Sequence, residues 1–466
     1  MSTRHNKLMK YLFPFFTTYL MMSLFFVLSV QANDIQKKQI KHEERMKWWT
    51  EARFGMFIHW GIYAMPSRGV WHKSRDQVTD EEYQKYFELF NPDIFNPKEW
   101  ARTAKEAGMR YFVITTKHHD GFCLWDSKYT DYKITNTPYG KDLIKPMVEA
   151  FRDEGLRVGF YYSLLDWHHP EFTVDRRHPM RDNIEFREKA KNRDLKKYVE
   201  YVRNQVRELL TEFGPIDCLF LDYSYPGGKE GKGRNEWQSE KLLKMIRELQ
   251  PNVILNDRLD LLDLPGGWDY RTPEQFIPRD WIKIDGKRVP WETCQTFSGH
   301  WGYDRDQATW KSTRQLLVLL IETVSQGGNL LLNVGPTARG TFDNRAMNRL
   351  KGIGEWMKLN SRSIYGCTQA PEQFKAPENC IMTYNPSKNR LYIHVLDWPM
   401  GKLYLEGFAG KVKFAQLLHD ASEIRFVPPR RSSVVIEEKV SEDTLILGLP
   451  IQKPDVAVPV IELFLN

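Results

Sequence analysis

The rhythm of hydrophobic positions takes three forms along this chain. Residues 11–30 are almost continuously apolar. From residue 54 to about residue 336, short apolar runs alternate with stretches in which apolar residues recur at the helical period. After residue 366 the helical period disappears, and strand-like alternation broken by turn residues takes its place.

The middle region contains eight apolar runs: 54–61 (FGMFIHWG), 111–121 (YFVITTKHHDG), 157–167 (RVGFYYSLLDW), 218–224 (CLFLDYS), 252–258 (NVILNDR), 268–274 (WDYRTPE), 291–297 (WETCQTF) and 330–336 (LLLNVGP). Helical stretches at 97–108, 141–155, 194–214, 236–250 and 314–328 lie between them. Gly108, Gly155, Gly214 and Gly327 stand where helices stop. Strands alternating with helices predict a parallel sheet, and eight of them predict an α/β fold of the (β/α)8-like TIM-barrel type. Runs five to six and six to seven begin only 16 and 23 residues apart. That is too short for full crossover helices, so the barrel is expected to be irregular around strands 5–7.

Residues 344–366 fit a closing helix. The strand-like segments beyond it (NRLYIHVLDW, GKLYLEGF, KVKFAQLL, SSVVIEE, DTLILGLP, AVPVIELFLN) predict a C-terminal β-sandwich over residues 367–466. Residues 1–32 read as a signal peptide. Arg4, Lys7 and Lys10 precede the apolar run, and Val30-Gln31-Ala32 supplies small residues at a cleavage-site spacing. The catalytic barrel then spans residues 33–366, and the mature chain is expected to be exported, to the periplasm or beyond. No stable membrane association is expected after cleavage.

Composition changes this picture little. The 466 residues are 41% hydrophobic and 13% aromatic, which is ordinary for a globular chain. Three of the seven net positive charges belong to the leader, and the rest are interspersed with acids, so nucleic acid is not an expected partner. The five cysteines are scattered without a CxxC pair, which indicates neither a zinc cluster nor a disulfide framework.

Barrel catalysts carry their chemistry at the C-terminal strand ends. The runs end in His59-Trp60, His118-His119-Asp120, Asp166-Trp167, Asp222, Asp257-Arg258 and Glu274. Adjacent histidines in a strand point to opposite faces, and HxH and HExxH spacings are absent. No metal or other cofactor is therefore expected. No GxSxG elbow occurs either. Carboxylates are the stronger candidates. Asp222 closes a rigid apolar strand and Glu274 is expected on the same rim; two such groups flanking a pocket suffice for glycoside cleavage. His59, His118, His119 and Arg258 would grip ring hydroxyls. Trp60, Trp71, Trp125 and Trp167 offer flat faces for a sugar, although core packing is as good an account of any one of them.

FGMFIHWG, TTKHHDGFCLWDS, GFYYSLLDW, FGPIDCLFLDY, NDR, TPE, WETC and VSQGGNLLLNVGP resemble, in order, the motifs of the retaining α-L-fucosidases of glycoside hydrolase family 29, over about residues 46–366. The resemblance implies that Asp222 is the nucleophile. It places His59, His118, His119, Tyr162 and Arg258 on fucose-binding positions, with Trp71 and Trp125 as pocket aromatics. For the acid/base it offers Glu274 first and Glu292 second, the latter also readable as a brace behind the rim. The implied substrate is a fucosylated oligosaccharide or glycoprotein glycan. Two positions depart from the family's pattern: Val70 stands where a glutamate is common, and Phe220 where a tryptophan is. A related glycone of L-galactose-like configuration therefore stays open beside fucose.

Overall fold

The computed structural model describes residues 42–228, 230–429 and 439–466. The predicted signal peptide lies outside the described residues, as does the predicted strand SSVVIEE. Residues 49–466 form one compact unit, and the described residues of the unit before it, 42–48, are helical.

The barrel strands are β1 (Phe54–Ile58), β2 (Tyr111–Lys117), β3 (Arg157–Ser163), β4 (Cys218–Asp222) and β5 (Ile254–Leu255). A small hairpin, β6 (Lys283–Ile284) and β7 (Lys287–Arg288), follows, then β8 (Glu292–Thr296) and β9 (Asn329–Val334). Seven of them form a parallel sheet in the order β5-β4-β3-β2-β1-β9-β8. The sixth predicted run is not a strand. Residues 270–274 instead fill the gap between β5 and β8 through isolated parallel bridges, Tyr270 to Asn256, Arg271 to Trp291 and Glu274 to Cys294. Pro273 has no N–H to give to a ladder, and the short spacing leaves no room for a longer strand. As the spacing predicts, no α-helix lies between β5 and β8 among the described residues.

Helices cover the outside of the sheet, so β1, β2 and β4 are buried along their whole length. Their ends carry the chemistry their sequences suggest. Asn96 caps the helix Pro97–Glu106, which has proline in its first turn, and Asp194 caps Leu195–Thr211. Gly108 follows Pro97–Glu106 at φ 85°, the left-handed geometry that ends a helix. Alternation along each strand separates two environments. In β4, Leu219 and Leu221 join the core under the helices, whereas Phe220 and Asp222 face the barrel interior.

Beyond the helix Asn344–Asn360, a five-stranded antiparallel sheet (strands Thr368–Gln369, Cys380–Asn385, Arg390–Val395, Val460–Leu465, Val412–Leu417) and a three-stranded one (Lys402–Leu405, Leu445–Gly448, Arg425–Phe426) form the β-sandwich. Its own core includes Leu391, Ile393, Leu405, Leu447, Ile461 and Leu463.

Candidate active site

One cavity opens at the C-terminal ends of the barrel strands. It is lined by His59, His118, His119, Asp222, Arg258 and Glu274 together with an aromatic wall. Asp222, at the last position of β4, receives two hydrogen bonds: from Tyr161 Oη to Oδ2 at 2.6 Å and from Arg258 Nη1 to Oδ1 at 2.6 Å. The other terminal nitrogen of Arg258 donates to Glu274 Oε2 at 2.9 Å. A single guanidinium thus ties both carboxylates to one wall of the cavity. Trp301 Nε1 donates to the remaining oxygen of Glu274, Oε1, at 3.1 Å.

Electrostatics differ sharply between the groups in this space. Burial works against ionisation of Asp222, but the Arg258 charge and the bonds from Tyr161 and Arg258 outweigh it and hold its pKa below the usual carboxylate value. Burial lowers the pKa of His59 to about 4 and takes His118 and His119 well below the usual imidazole value. All three rings are neutral near pH 7. His59 Nδ1 bonds Asn333 Oδ1 at 2.6 Å and His119 Nδ1 bonds Ser163 Oγ at 2.7 Å. These bonds orient both rings and leave Nε2 available to a ligand. The adjacent pair reaches one pocket because the chain has left β2 at Lys117, with a register shift just before it, and turns. Their ring centroids stand 4.0 Å apart.

Apolar surface completes the lining. Phe57 packs at 5.4 Å from Phe220 and 5.9 Å from Trp301, and Trp301 stacks on His59 at 4.9 Å. Trp71 and Tyr223 close the opposite flank, 5.6 Å apart, both against His119.

Residues 26–362 match the family model described as Alpha-L-fucosidase. The chain belongs to the α-L-fucosidase family. The plasma α-L-fucosidase of Rattus norvegicus is 30% identical over 423 residues, 84% of this chain and 86% of that one. Among solved structures, α-L-fucosidase isoenzyme 1 from Paenibacillus thiaminolyticus is 45% identical with a TM-score of 0.84, covering 91% of this chain and 100% of that chain. A family 29 enzyme from Bacteroides thetaiotaomicron, trapped as a covalent intermediate in complex with 2-fluoro-fucosyl fluoride, is 29% identical, with a TM-score of 0.76 and coverage of 91% and 96%.

In this fucosidase the cavity collects His59, Trp71, His118, His119, Asp222, Arg258 and Glu274. Four sequence assignments need correction. Trp60 follows the inward His59, so it points out of the barrel, packing 4.9 Å from Trp100 and donating to the Thr337 carbonyl. Trp125 is fully buried and donates to Glu208 Oε2 at 3.2 Å. Tyr162 turns its hydroxyl to Gln205 on the outer helix at 2.8 Å, and its neighbour Tyr161 is the tyrosine in the pocket. Glu292 is the first residue of β8, at the opposite end of the barrel from the rim. It is completely buried and hydrogen-bonded to the Tyr111 hydroxyl, and it does not line the rim cavity.

Sequence reasoning missed Tyr161, Phe57, Tyr223, Cys294 and Trp301. Strand parity identifies Phe57 once His59 is known to face inward. Trp301 comes from the loop beyond β8 and reaches the cavity wall. Val70 does not line the cavity; it is buried, and its backbone N–H donates to the Trp301 carbonyl at 3.1 Å.

Proposed function

We propose that the enzyme releases terminal α-L-fucose by double displacement, with Asp222 as nucleophile and Glu274 as acid/base. The observation that carries this reading is the shared guanidinium, which holds the two carboxylates as neighbours on the lining of one cavity. In the first step an Asp222 oxygen attacks the anomeric carbon, the glycosidic bond breaks, and Glu274 gives its proton to the departing oxygen. In the second, Glu274 takes a proton from water, the water oxygen attacks the same carbon, and Asp222 leaves as carboxylate. The depressed pKa of Asp222 keeps the nucleophile ionised, and two inversions give net retention.

His59, His118 and His119 supply neutral ring nitrogens to the sugar hydroxyls. The Phe57–Phe220–Trp301 patch suits the methyl group of a 6-deoxy sugar, and an L-galactoside would leave a hydroxyl unpaired against it. The substrates are fucosylated oligosaccharides or glycoprotein glycans. The apolar leader supports an exported enzyme, periplasmic or secreted.

The test is turnover of an aryl α-L-fucoside and an aryl α-L-galactoside by the wild type, Asp222→Asn and Glu274→Ala. The fucoside is expected to be preferred, Asp222→Asn to be essentially inactive, and azide to rescue Glu274→Ala with formation of a fucosyl azide. Near-normal turnover by Asp222→Asn refutes the assignment.

A further inference from the structure

Beside the mouth of the cavity, the turn at residues 175–178 stands on a rigid base. Asp175 is fully buried and accepts hydrogen bonds from the Arg177 backbone N–H at 2.8 Å, from Lys232 Nζ at 2.6 Å and from the Tyr225 hydroxyl. The Arg177 carbonyl accepts from Ser74 Oγ at 2.7 Å. The backbone of Arg177 is therefore fixed, while its side chain is exposed and lies 5.8 Å from the Trp71 ring and 5.7 Å from the Tyr223 ring. Both aromatics line the cavity.

Among the described residues, neither Arg177 nor Arg176 has a side-chain hydrogen bond or ion pair; each guanidinium rests only on aromatic rings, that of Arg176 on Tyr225 at 5.5 Å. The neighbouring acids are already engaged: Asp175 with Lys232, Asp182 with Arg181, and Glu230 with Arg187. Tyr223 holds a left-handed backbone at φ 84°, which a residue with a side chain adopts only at a cost and most often where function demands it. Its hydroxyl is within electrostatic reach of Arg177, Asp222 and Glu274 alike.

We propose that Arg177, supported by Arg176, forms a leaving-group subsite for a sugar or aglycone bearing a carboxylate or sulfate. The inference rests on the Asp222–Glu274 reading, because the group leaving fucose must lie against Glu274, toward the mouth of the cavity. Tyr223 and Trp71 give that group an aromatic wall, and the unpaired guanidinium supplies the fork that binds a planar oxyanion.

Wild type, Arg177→Gln and Arg177→Lys are assayed on 4-carboxyphenyl α-L-fucoside and on its methyl ester. The kcat/KM ratio of acid to ester is expected to fall roughly tenfold in Arg177→Gln. In Arg177→Lys, which keeps the charge but loses the fork, it falls less. Raising the salt lowers the wild-type ratio more than that of Arg177→Gln, which keeps only the Arg176 charge at the subsite. Ratios equal in all three proteins, with both substrates cleaved, overturn the subsite alone; no cleavage of either substrate by the wild type overturns the underlying fucosidase reading as well.

Discussion

Tyr161 donates its phenolic proton to Asp222 Oδ2 at 2.6 Å. Its ring also lies parallel to that of His118 and stacks on Phe220, so the donor is held in place from two sides. A hydrogen bond to the charged form of a carboxylate favours ionisation, and removing it raises the pKa. Tyr161→Phe is expected to lower kcat/KM by roughly 10- to 100-fold, the value of one charge-assisted hydrogen bond. The acid limb of the kcat/KM–pH profile should move to higher pH, because the free enzyme must lose the Asp222 proton. Tyr162→Phe, one residue along, removes only the bond to Gln205 and should cost about 1 kcal/mol of stability with the pH profile unmoved. Identical profiles for the two variants would contradict the assignment of the inward tyrosine.

That pair also marks where the sequence stops being legible. The order of strands and helices, the short connections around the sixth run and the acidic end of β4 follow from periodicity and spacing, because burial on both faces of a parallel sheet imposes them. Which of two adjacent tyrosines faces inward depends on register relative to the neighbouring strands, and one residue of slip exchanges them. Glu292 is in the correct strand at its wrong end, a distinction that needs the strand's start to be known. Trp301 reaches the pocket from a loop fixed by pairing with residues 69 and 70, a contact no local pattern encodes.

The same loop pairing makes Gly302 a sensitive position. It has φ 73°, and a Cβ there would stand 2.8 Å from Val70 Cγ1. The next strand end crowds it too, since a Cβ on Gly335 would meet the Gly302 carbonyl carbon at 2.2 Å. Gly302→Ala is therefore expected to push the loop outward and pull Trp301 from Glu274 and His59. The outcome should be a fall in kcat/KM of at least about tenfold, through lost positioning of the acid/base, with a small change in Tm. A variant as active as the wild type would show that Trp301 does not orient Glu274.

Chelators should leave activity unchanged. His59 and His119 spend one ring nitrogen each on Asn333 and Ser163, and no cluster of three His, Cys, Asp or Glu side chains among the described residues is arranged to hold an ion. Steady-state rates before and after prolonged treatment with EDTA check this. Loss of activity restored by one added divalent metal would reverse the conclusion.

Glu292 supplies a prediction about stability rather than catalysis. Burial raises its pKa to about 8, against the lowering effect of the hydrogen bond from Tyr111. In the unfolded chain the same carboxyl titrates near 4.3. Between those values the folded protein keeps a proton that the unfolded chain releases, so each rise in pH favours unfolding. The stability this group confers is complete below about pH 4.3 and is lost progressively as pH climbs to about 8. Glu292→Gln keeps an acceptor for the Tyr111 hydroxyl but cannot titrate. Its Tm relative to wild type should therefore increase from pH 5 to pH 8, while turnover of an aryl α-L-fucoside stays within about threefold of wild type, because the side chain is remote from the rim. Parallel Tm curves for the two proteins would mean that Glu292 is ionised in the folded state. A collapse of kcat on this substitution would mean that the foot of the barrel takes part in the chemistry.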